Sequence, residues 1–169
     1  DYNPAGRLVQ TWPRSLDQLP PMMDYDIRHG RTYMYFKGEP LYPFGYGMSY
    51  TTFGYTNLRV RAPSFRAGSS IRVNVDIRNT GSRAGEEVVQ LYLKYLNSSV
   101  IRPLKALQGF KRISLRPGEI KTVTLELKPE QLAYWNVSRH KFVVENGAIQ
   151  LMIGNSSSDI KLTRTIKVR

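Results

Sequence analysis

The 169-residue chain contains no cysteine, so it can form neither disulfides nor thiolate metal sites. Histidine occurs only twice, as His29 and His140, which is too sparse for a zinc site of ordinary ligand spacing. No apolar run approaches the roughly 20 residues of a membrane span. The first residues also lack the basic-then-apolar pattern of a signal peptide. We therefore expect no metal, no disulfide and no membrane span.

Sequence motifs for nucleophilic or nucleotide chemistry are missing as well. There is no Gly-x-Ser-x-Gly elbow and no glycine-rich phosphate loop ahead of a predicted helix. Sequence order alone leaves a Ser-His-Asp arrangement open, but no serine stands in a distinctive context. The sequence predicts no catalytic residue and no cofactor within this chain. It begins with Asp1 instead of Met, which is typical of an excised or processed fragment.

Aromatic side chains and proline are concentrated in the first third of the sequence. Twelve of the 19 aromatic residues precede residue 56, and six of the 10 prolines precede residue 44. Proline interrupts both helices and sheet ladders, so this part is predicted to be irregular. Because aromatic rings are costly to leave in water, we expect it to pack on the rest of the chain, on another domain, or on both.

The excess of positive over negative charge is confined to the remainder of the chain. Residues 1–52 carry five basic and five acidic side chains, whereas residues 53–169 carry 20 basic against 8 acidic and hold the whole net charge of +12. Basic residues spread along strands usually form a solvated face that keeps sheet edges apart. The alternative is a functional anionic partner.

From Phe53 onward, short runs of alternating apolar and polar residues indicate β-strands. Turn signals such as Arg116-Pro117-Gly118-Glu119 separate them. The pattern predicts an all-β fold: an Ig-like or fibronectin type III-like antiparallel β-sandwich of about seven or eight strands, preceded by an irregular aromatic-rich extension. The predicted strands are 58–61, 71–78, 87–94, 107–115, 121–127, 141–145, 148–153 and 160–168.

Two predictions within this pattern are more specific. Asn146-Gly147 is a strong hairpin signal and predicts that strands 141–145 and 148–153 pair with each other. Tyr134 and Trp135 are adjacent in a predicted strand, so their rings should face opposite ways and one of them should lie in the core. The only helical signal is about one turn over residues 129–133.

Carboxylates and aromatic rings are the side chains from which a sugar site could be built. Glu86 and Glu87 are strand neighbours that point to opposite faces, so they cannot converge on one glycosidic bond. Asp24 and Asp26 share a face if their segment is extended, and they line either a pocket edge or a solvated turn.

Flat rings pack against sugar faces as they do against apolar groups. Three aromatic residues of the first third could stack on a sugar, although packing between domains is the favoured role for them. With one carboxylate they make up the predicted substrate rim: Trp12, Asp24, Tyr33 and Tyr35.

Several motifs resemble glycoside hydrolase family 3. Residues 3–8 (NPAGRL), 11–13 (TWP) and 17–20 (DQLP) resemble the end of that family's second α/β domain. Residues 30–33 (GRTY) and the long run 39–53 (EPLYPFGYGMSYTTF) resemble its crossing into the last domain. The segments that resemble its fibronectin type III-like domain are 73–75 (VNV), 79–81 (NTG), 85–92 (GEEVVQLY), 107–110 (LQGF) and 115–119 (LRPGE).

The resemblance implies a parent enzyme of the β-glucosidase or β-xylosidase type that hydrolyses terminal β-linked sugars with retention. It implies that the nucleophilic Asp and the acid/base Glu lie in upstream domains, so this chain alone is expected to be inactive. Residues 1–52 are expected to be the tail of the preceding α/β domain plus an interdomain strap, and residues 53–169 the sandwich.

The expected partners are the upstream catalytic domains of the same polypeptide and, through the parent enzyme, a β-linked oligosaccharide. No nucleic acid is expected, and the parent would place the chain in an extracytoplasmic location, periplasmic or secreted. Two alternatives to a structural module remain open at this stage: a carbohydrate-binding module, and a basic sandwich that binds polyanions.

Overall fold

The computed structural model describes residues 2–61, 64–65 and 69–169. Within these residues, helical structure is limited to one short helix, α1 (Thr32–Tyr35), and three 3₁₀ turns at Leu16–Gln18, Ile27–His29 and Pro129–Leu132. The strands are β1 (Phe53–Val60), β2 (Ser64–Phe65), β3 (Ile71–Asn79), β4 (Gly85–Tyr95), β5 (Ala106–Leu115), β6 (Ile120–Leu127), β7 (Ala133–Asn136), β8 (Lys141–Val144), β9 (Gly147–Gly154) and β10 (Ile160–Val168).

Two sheets pack face to face and confirm the predicted all-β sandwich. One has the strand order β1-β3-β6, and the other has the order β2-β10-β9-β4-β5. Their pairings are antiparallel except between β2 and β10, which run parallel. The strand count exceeds the prediction because β2 and β7 are not among the eight predicted segments. β7 pairs with β8 in a separate two-stranded ribbon.

The core lies between the two sheets and follows the alternation of the sequence. Along β3, Val73, Val75 and Ile77 are fully buried, while Arg72 before them and Arg78 after them face solvent. Inward residues of β4, β6 and β9 meet them from both sheets, so one continuous apolar cluster holds the sandwich together.

β4 departs from this pattern because both of its faces are buried. Leu91 and Leu93 point into the core, and Gln90 and Tyr92 on the opposite face are buried as well. The outer face is covered by residues 2–52, which we call the strap. A strand covered on both faces reads as a nearly unbroken apolar run, as residues 88–93 do. The strap therefore forms a third layer.

The predicted hairpin across Asn146-Gly147 is wrong. β8 pairs with β7, from Ala133 opposite Val144 to Asn136 opposite Lys141, and β9 pairs with β10 and β4. Between its two neighbours β9 buries three apolar side chains, Ile149, Leu151 and Ile153. That burial, about 0.8 kcal/mol per methylene, outweighs the local turn preference of one dipeptide.

Neither Tyr134 nor Trp135 lies in the core, contrary to the prediction. Both belong to β7, which pairs only with β8 and joins neither large sheet. Tyr134 is half-buried over Arg102, whose guanidinium carbon lies 4.5 Å from the centre of the Tyr134 ring and 4.1 Å from that of Tyr95. Trp135 is half exposed.

Candidate functional site

The strap is folded back on itself as an irregular ribbon on the outer face of the five-stranded sheet. The amide of Leu8 donates to the carbonyl of Tyr46 over 2.8 Å, and Trp12 and Tyr42 form an isolated antiparallel bridge. Prolines at 13 and 43 keep this pairing from extending. The strap thus presents one side to the sheet and the other to solvent.

Asn3 closes the strap at its base. Its Oδ1 accepts hydrogen bonds from Ser49 Oγ at 3.0 Å and from the amide of Tyr50 at 2.9 Å. Its Nδ2 donates to the carbonyl of Ala84 at 3.0 Å, just before β4 begins. One amide side chain therefore joins both ends of the strap to the sheet.

Gln90 is the polar centre of the strap–sheet contact and is only 2% exposed. Its Nε2 donates to the carbonyls of Gly45 at 3.2 Å and Asn155 at 2.5 Å, and its Oε1 accepts from the Tyr92 hydroxyl at 2.5 Å. A buried amide is tolerated when its donors and acceptor are paired, as they are here. Gln90 therefore fixes the position of the strap on the sheet.

Tyr33 packs on the side of the strap that faces the sheet. Its ring stacks on Phe44 with centroids 4.3 Å apart, and it meets Tyr92 edge-on at 5.9 Å. The Tyr33 hydroxyl accepts a hydrogen bond from the amide of Leu107 at 3.0 Å, and burial raises its pKa. Both ring contacts favour a packing role for this candidate rim residue.

Arg7 and Glu87 form an ion pair at the edge of β4, with 2.6 Å between Nη2 and Oε1. The two side chains are 10% and 3% exposed. β9 pairs with β4 only from Gln90 onward, so residues 85–89 have an open edge on that side, and Glu87 lies within this stretch. Glu87 also accepts from the amide of Val88 at 2.8 Å. Burial raises the pKa of Glu87, and the guanidinium of Arg7 opposes that rise.

Trp12 lies on the solvent side of the strap, 46% exposed, at an apolar groove of about 600 Å³. The groove is also lined by Tyr42, Tyr46 and Met48, and the two tyrosine rings lie 5.4 Å apart. Tyr35 ends α1 and is half-buried. Trp12 is thus the rim candidate that lies at this apolar groove.

Asp24 lies in an exposed loop, residues 21–31, that is braced by its own side chains. His29 Nδ1 lies 2.7 Å from Asp24 Oδ2, and Arg31 Nε donates to the Asp24 carbonyl at 2.5 Å. Arg28 pairs with Asp26 at 2.5 Å. The hydrogen bond from His29 and that from the Asp26 amide lower the pKa of Asp24.

Asp26 is also held ionised, since the side chain and amide of Arg28 set its pKa far below the ordinary range. Retaining hydrolysis needs one carboxyl group that stays protonated near neutral pH. With both pKa values lowered, Asp24 and Asp26 do not form such a pair. The two ionised carboxylates can accept hydrogen bonds but cannot donate a proton as a general acid.

The described part of the chain brings no three His, Cys, Asp or Glu side chains together in a group that could hold a metal ion. No helix there is long and apolar enough to cross a membrane.

Sequence reasoning missed Arg7 and Gln90 as the residues that fix the strap. Gln90 had a readable signal, because it is the one polar residue within the apolar run 88–93 of a strand. Arg7 had none, since an arginine in an irregular segment usually lies in solvent. Its partner Glu87 was considered only as a possible catalytic carboxylate.

Comparison with known proteins identifies relatives over almost the whole chain. Residues 87–157 match the fibronectin type III-like domain family. A beta-xylosidase of Formosa agariphila is 40% identical over 99% of this chain and 24% of its own length. A periplasmic beta-glucosidase of Salmonella typhimurium is 38% identical over 95% of this chain and 22% of its own length.

Solved structures agree with these relatives. The crystal structure of a beta-D-glucoside glucohydrolase from Trichoderma reesei superposes with a TM-score of 0.88 at 34% identity, covering 100% of this chain and 27% of that one. The chain therefore spans about a quarter of the length of the proteins it matches.

Proposed function

We propose that this chain, which is a C-terminal fibronectin type III-like region of glycoside hydrolase family 3, serves as the non-catalytic structural module of a retaining β-glycosidase. The parent protein would hydrolyse terminal β-linked glucose or xylose in carbohydrate metabolism, with both catalytic carboxylates in upstream domains. Residues 1–52 would complete the preceding α/β domain and strap it to the sandwich of residues 53–169.

The observation that carries this proposal is the apolar outer side of the strap. The strap makes up less than a third of the chain, yet it holds 13 of the 22 exposed large apolar side chains among the described residues. Exposed apolar surface concentrated in one segment in this way marks an interface. The thirteen are Tyr2, Val9, Trp12, Leu16, Leu19, Met22, Met23, Tyr25, Ile27, Leu41, Tyr42, Met48 and Tyr50.

The inner side of the strap explains how such a module would transmit stability. Gln90, the Tyr33–Phe44 stack and the Arg7–Glu87 pair fix the strap to β4, which itself lies in the sandwich core. A catalytic domain that binds the outer side of the strap would thereby be coupled, through β4, to the core of the sandwich. The partner in this proposal is the upstream part of the same polypeptide.

A second candidate function is sugar contact at the rim of the parent's active site. The open groove beside Trp12 and the ionised carboxylate of Asp24 support it, and Tyr35 of the same strap remains a candidate. Tyr33 remains part of this prediction, although its ring is engaged by Phe44. An extracytoplasmic location would follow from the parent, in line with the periplasmic beta-glucosidase among the relatives.

The absence of catalysis can be tested on the purified chain with an aryl β-glucoside and an aryl β-xyloside. We expect no turnover above buffer for the chain or for Asp24→Asn. Turnover that Asp24→Asn abolishes would overturn the non-catalytic assignment.

The supporting role can be tested by adding the chain to the upstream domains expressed without it. We expect the added chain to raise their melting temperature, and Met22→Ser with Met23→Ser to reduce this effect. Ile120→Ser, which alters an exposed apolar residue on β6 of the sandwich, is the matched control and should leave the effect intact. Equal losses for both variants would contradict a role for the strap.

A further inference from the structure

The ribbon of β7 and β8 exposes an aromatic pair that the sandwich core does not use. Trp135 lies directly opposite Phe142 in the strand register. Their ring centroids are 5.3 Å apart at an interplanar angle of 74°, and the side chains are 50% and 72% exposed. Two large rings left open on one face of a short ribbon form an interaction surface.

The turn that connects the two strands of this pair, together with the start of β8, is basic. Residues 133–144 contain no acidic side chain, whereas Arg139, His140 and Lys141 are all exposed. The amide of Arg139 donates to Asn136 Oδ1 at 2.9 Å, which orders the turn. The surface therefore combines an apolar ring pair with positive charge at one end, and complements an anionic partner.

The opposite face of the ribbon is fixed to the sandwich, so the pair is held in place before any ligand arrives. Arg102 lies between the rings of Tyr95 and Tyr134, and its Nη2 is 3.6 Å from Glu145 Oε2. Glu145 in turn accepts from both the amide and the hydroxyl of Ser99 at 2.7 Å. A fixed aromatic platform loses little conformational entropy on binding.

We propose that the β7–β8 ribbon binds a polysaccharide that carries carboxylate groups. The ring of Trp135 stacks on the apolar face of a sugar unit, and the side chains of Arg139 and Lys141 pair with uronate carboxylates along the same chain. This site is separate from the strap and does not depend on the proposed structural role.

The placement of the rings favours a polymer over a lipid surface. Trp135 and Phe142 lie along the side of the ribbon, whereas the turn at its tip has one exposed apolar residue, Val137, beside the polar residues Ser138, Arg139 and His140. A tip of this kind is poorly suited to enter an apolar acyl layer. An extended chain can instead cross the side of the ribbon and reach the cationic turn.

Affinity electrophoresis of the chain tests the proposal, using polygalacturonate, glucuronoxylan and a neutral xylan as probes in the gel. We expect the two acidic polymers to retard the chain more than the neutral one. Trp135→Ala should weaken that retardation roughly five- to tenfold. Arg139→Gln with Lys141→Gln should remove the preference for acidic polymers and most of its dependence on salt.

Two matched variants keep the test specific. Phe110→Ala removes an exposed aromatic ring from β5, and Arg78→Gln with Lys111→Gln removes two exposed charges from β3 and β5. Both should bind like the unaltered chain, and an unchanged melting temperature for Trp135→Ala would show that the fold is intact. The proposal is overturned if the acidic polymers do not retard the chain, or if they retard Trp135→Ala as strongly as the unaltered chain. It is also overturned if the chain binds DNA or phosphatidylserine vesicles but not the acidic polysaccharides.

Discussion

The guanidinium of Arg7 reaches the carboxylate of Glu87 across 2.6 Å and joins the beginning of the strap to the open edge of β4. Because both side chains are almost fully enclosed, neither charge can be compensated by water if the other is removed. The contact is therefore more sensitive to single substitutions than to a paired replacement.

Arg7→Met is expected to lower the free energy of unfolding by about 3 kcal/mol, because Glu87 is left as an uncompensated buried carboxylate. Urea denaturation at neutral pH measures this loss. Adding Glu87→Gln, which keeps an oxygen to accept from the amide of Val88, should restore most of it. Arg14→Met, at the exposed pair with Glu39, is the control and should change little. A double variant no more stable than Arg7→Met would contradict this account.

Gly45→Ala should destabilise the chain more than Gly118→Ala, although both glycines have a positive φ, of 83° and 75°. The backbone penalty is about 1 kcal/mol at either position. A Cβ at Gly118 meets open space, whereas one at Gly45 overlaps the amide of Gln90. Displacing that amide should cost about 1–3 kcal/mol more, because its buried partners lose their hydrogen bonds. Equal melting temperatures for the two variants would show that Gln90 does not fix the strap.

Glu145 should make the fold sensitive to acid. Burial raises its pKa, but hydrogen bonds from Ser98 and Ser99 and the charge of Arg102 outweigh this and lower it from 4.5 to about 2. A lowered folded pKa contributes stability that is fully present above about pH 4.5 and is lost as the pH falls towards about 2. Glu145→Gln should therefore flatten the stability profile in that window, measured by urea unfolding at pH 3 and pH 7.

Glu126→Gln, which alters an exposed carboxylate on β6, serves as the control for this pH experiment. It should leave the difference between the two pH values unchanged. If Glu145→Gln leaves the difference unchanged as well, the hydrogen bonds at Ser98 and Ser99 do not stabilise the ionised carboxylate in solution.

Arg102→Lys should loosen the β7–β8 ribbon while the sandwich stays intact. An ammonium group lacks the planar surface that a guanidinium presents to the rings of Tyr95 and Tyr134. Amide hydrogen exchange should quicken in residues 133–144 and remain slow in β3 and β9. Unchanged protection of the ribbon would mean that the cross-strand pairs alone hold it.

The predicted strands were accurate where one face of the strand meets the core. Residues 71–78 alternate cleanly, and β3 buries the apolar half of that run. The same reasoning failed at Asn146-Gly147, because a local turn signal cannot report that β9 is needed between β4 and β10. Strand pairing over long sequence separation depends on packing that no short window contains.

The site was less predictable than the fold. The sequence indicated that the aromatic segment packs against other protein. In the structure, Tyr33 packs on the inner side of the strap and Met22 is exposed on it, so the strap has one packed and one exposed apolar surface. It could not show which ring faces which way, because an irregular segment has no periodicity to assign faces. One ring of Tyr134 and Trp135 was expected to be buried in the core, because nothing in the local sequence shows that β7 pairs with β8 and belongs to neither large sheet.

The closure of the strap at Asn3 has a consequence for how the region can evolve. Asn3 is hydrogen-bonded to Ser49 and Tyr50, so the two ends of the segment 3–50 are held together whatever residues lie in its middle. Doubling the length of such a segment costs only about 0.6 kcal/mol of closure entropy. Insertions and deletions in the exposed loop of residues 21–31 should therefore change the free energy of unfolding of the sandwich little. Descendants of one scaffold could exchange that loop to suit different neighbours without redesigning the β-sheets beneath it.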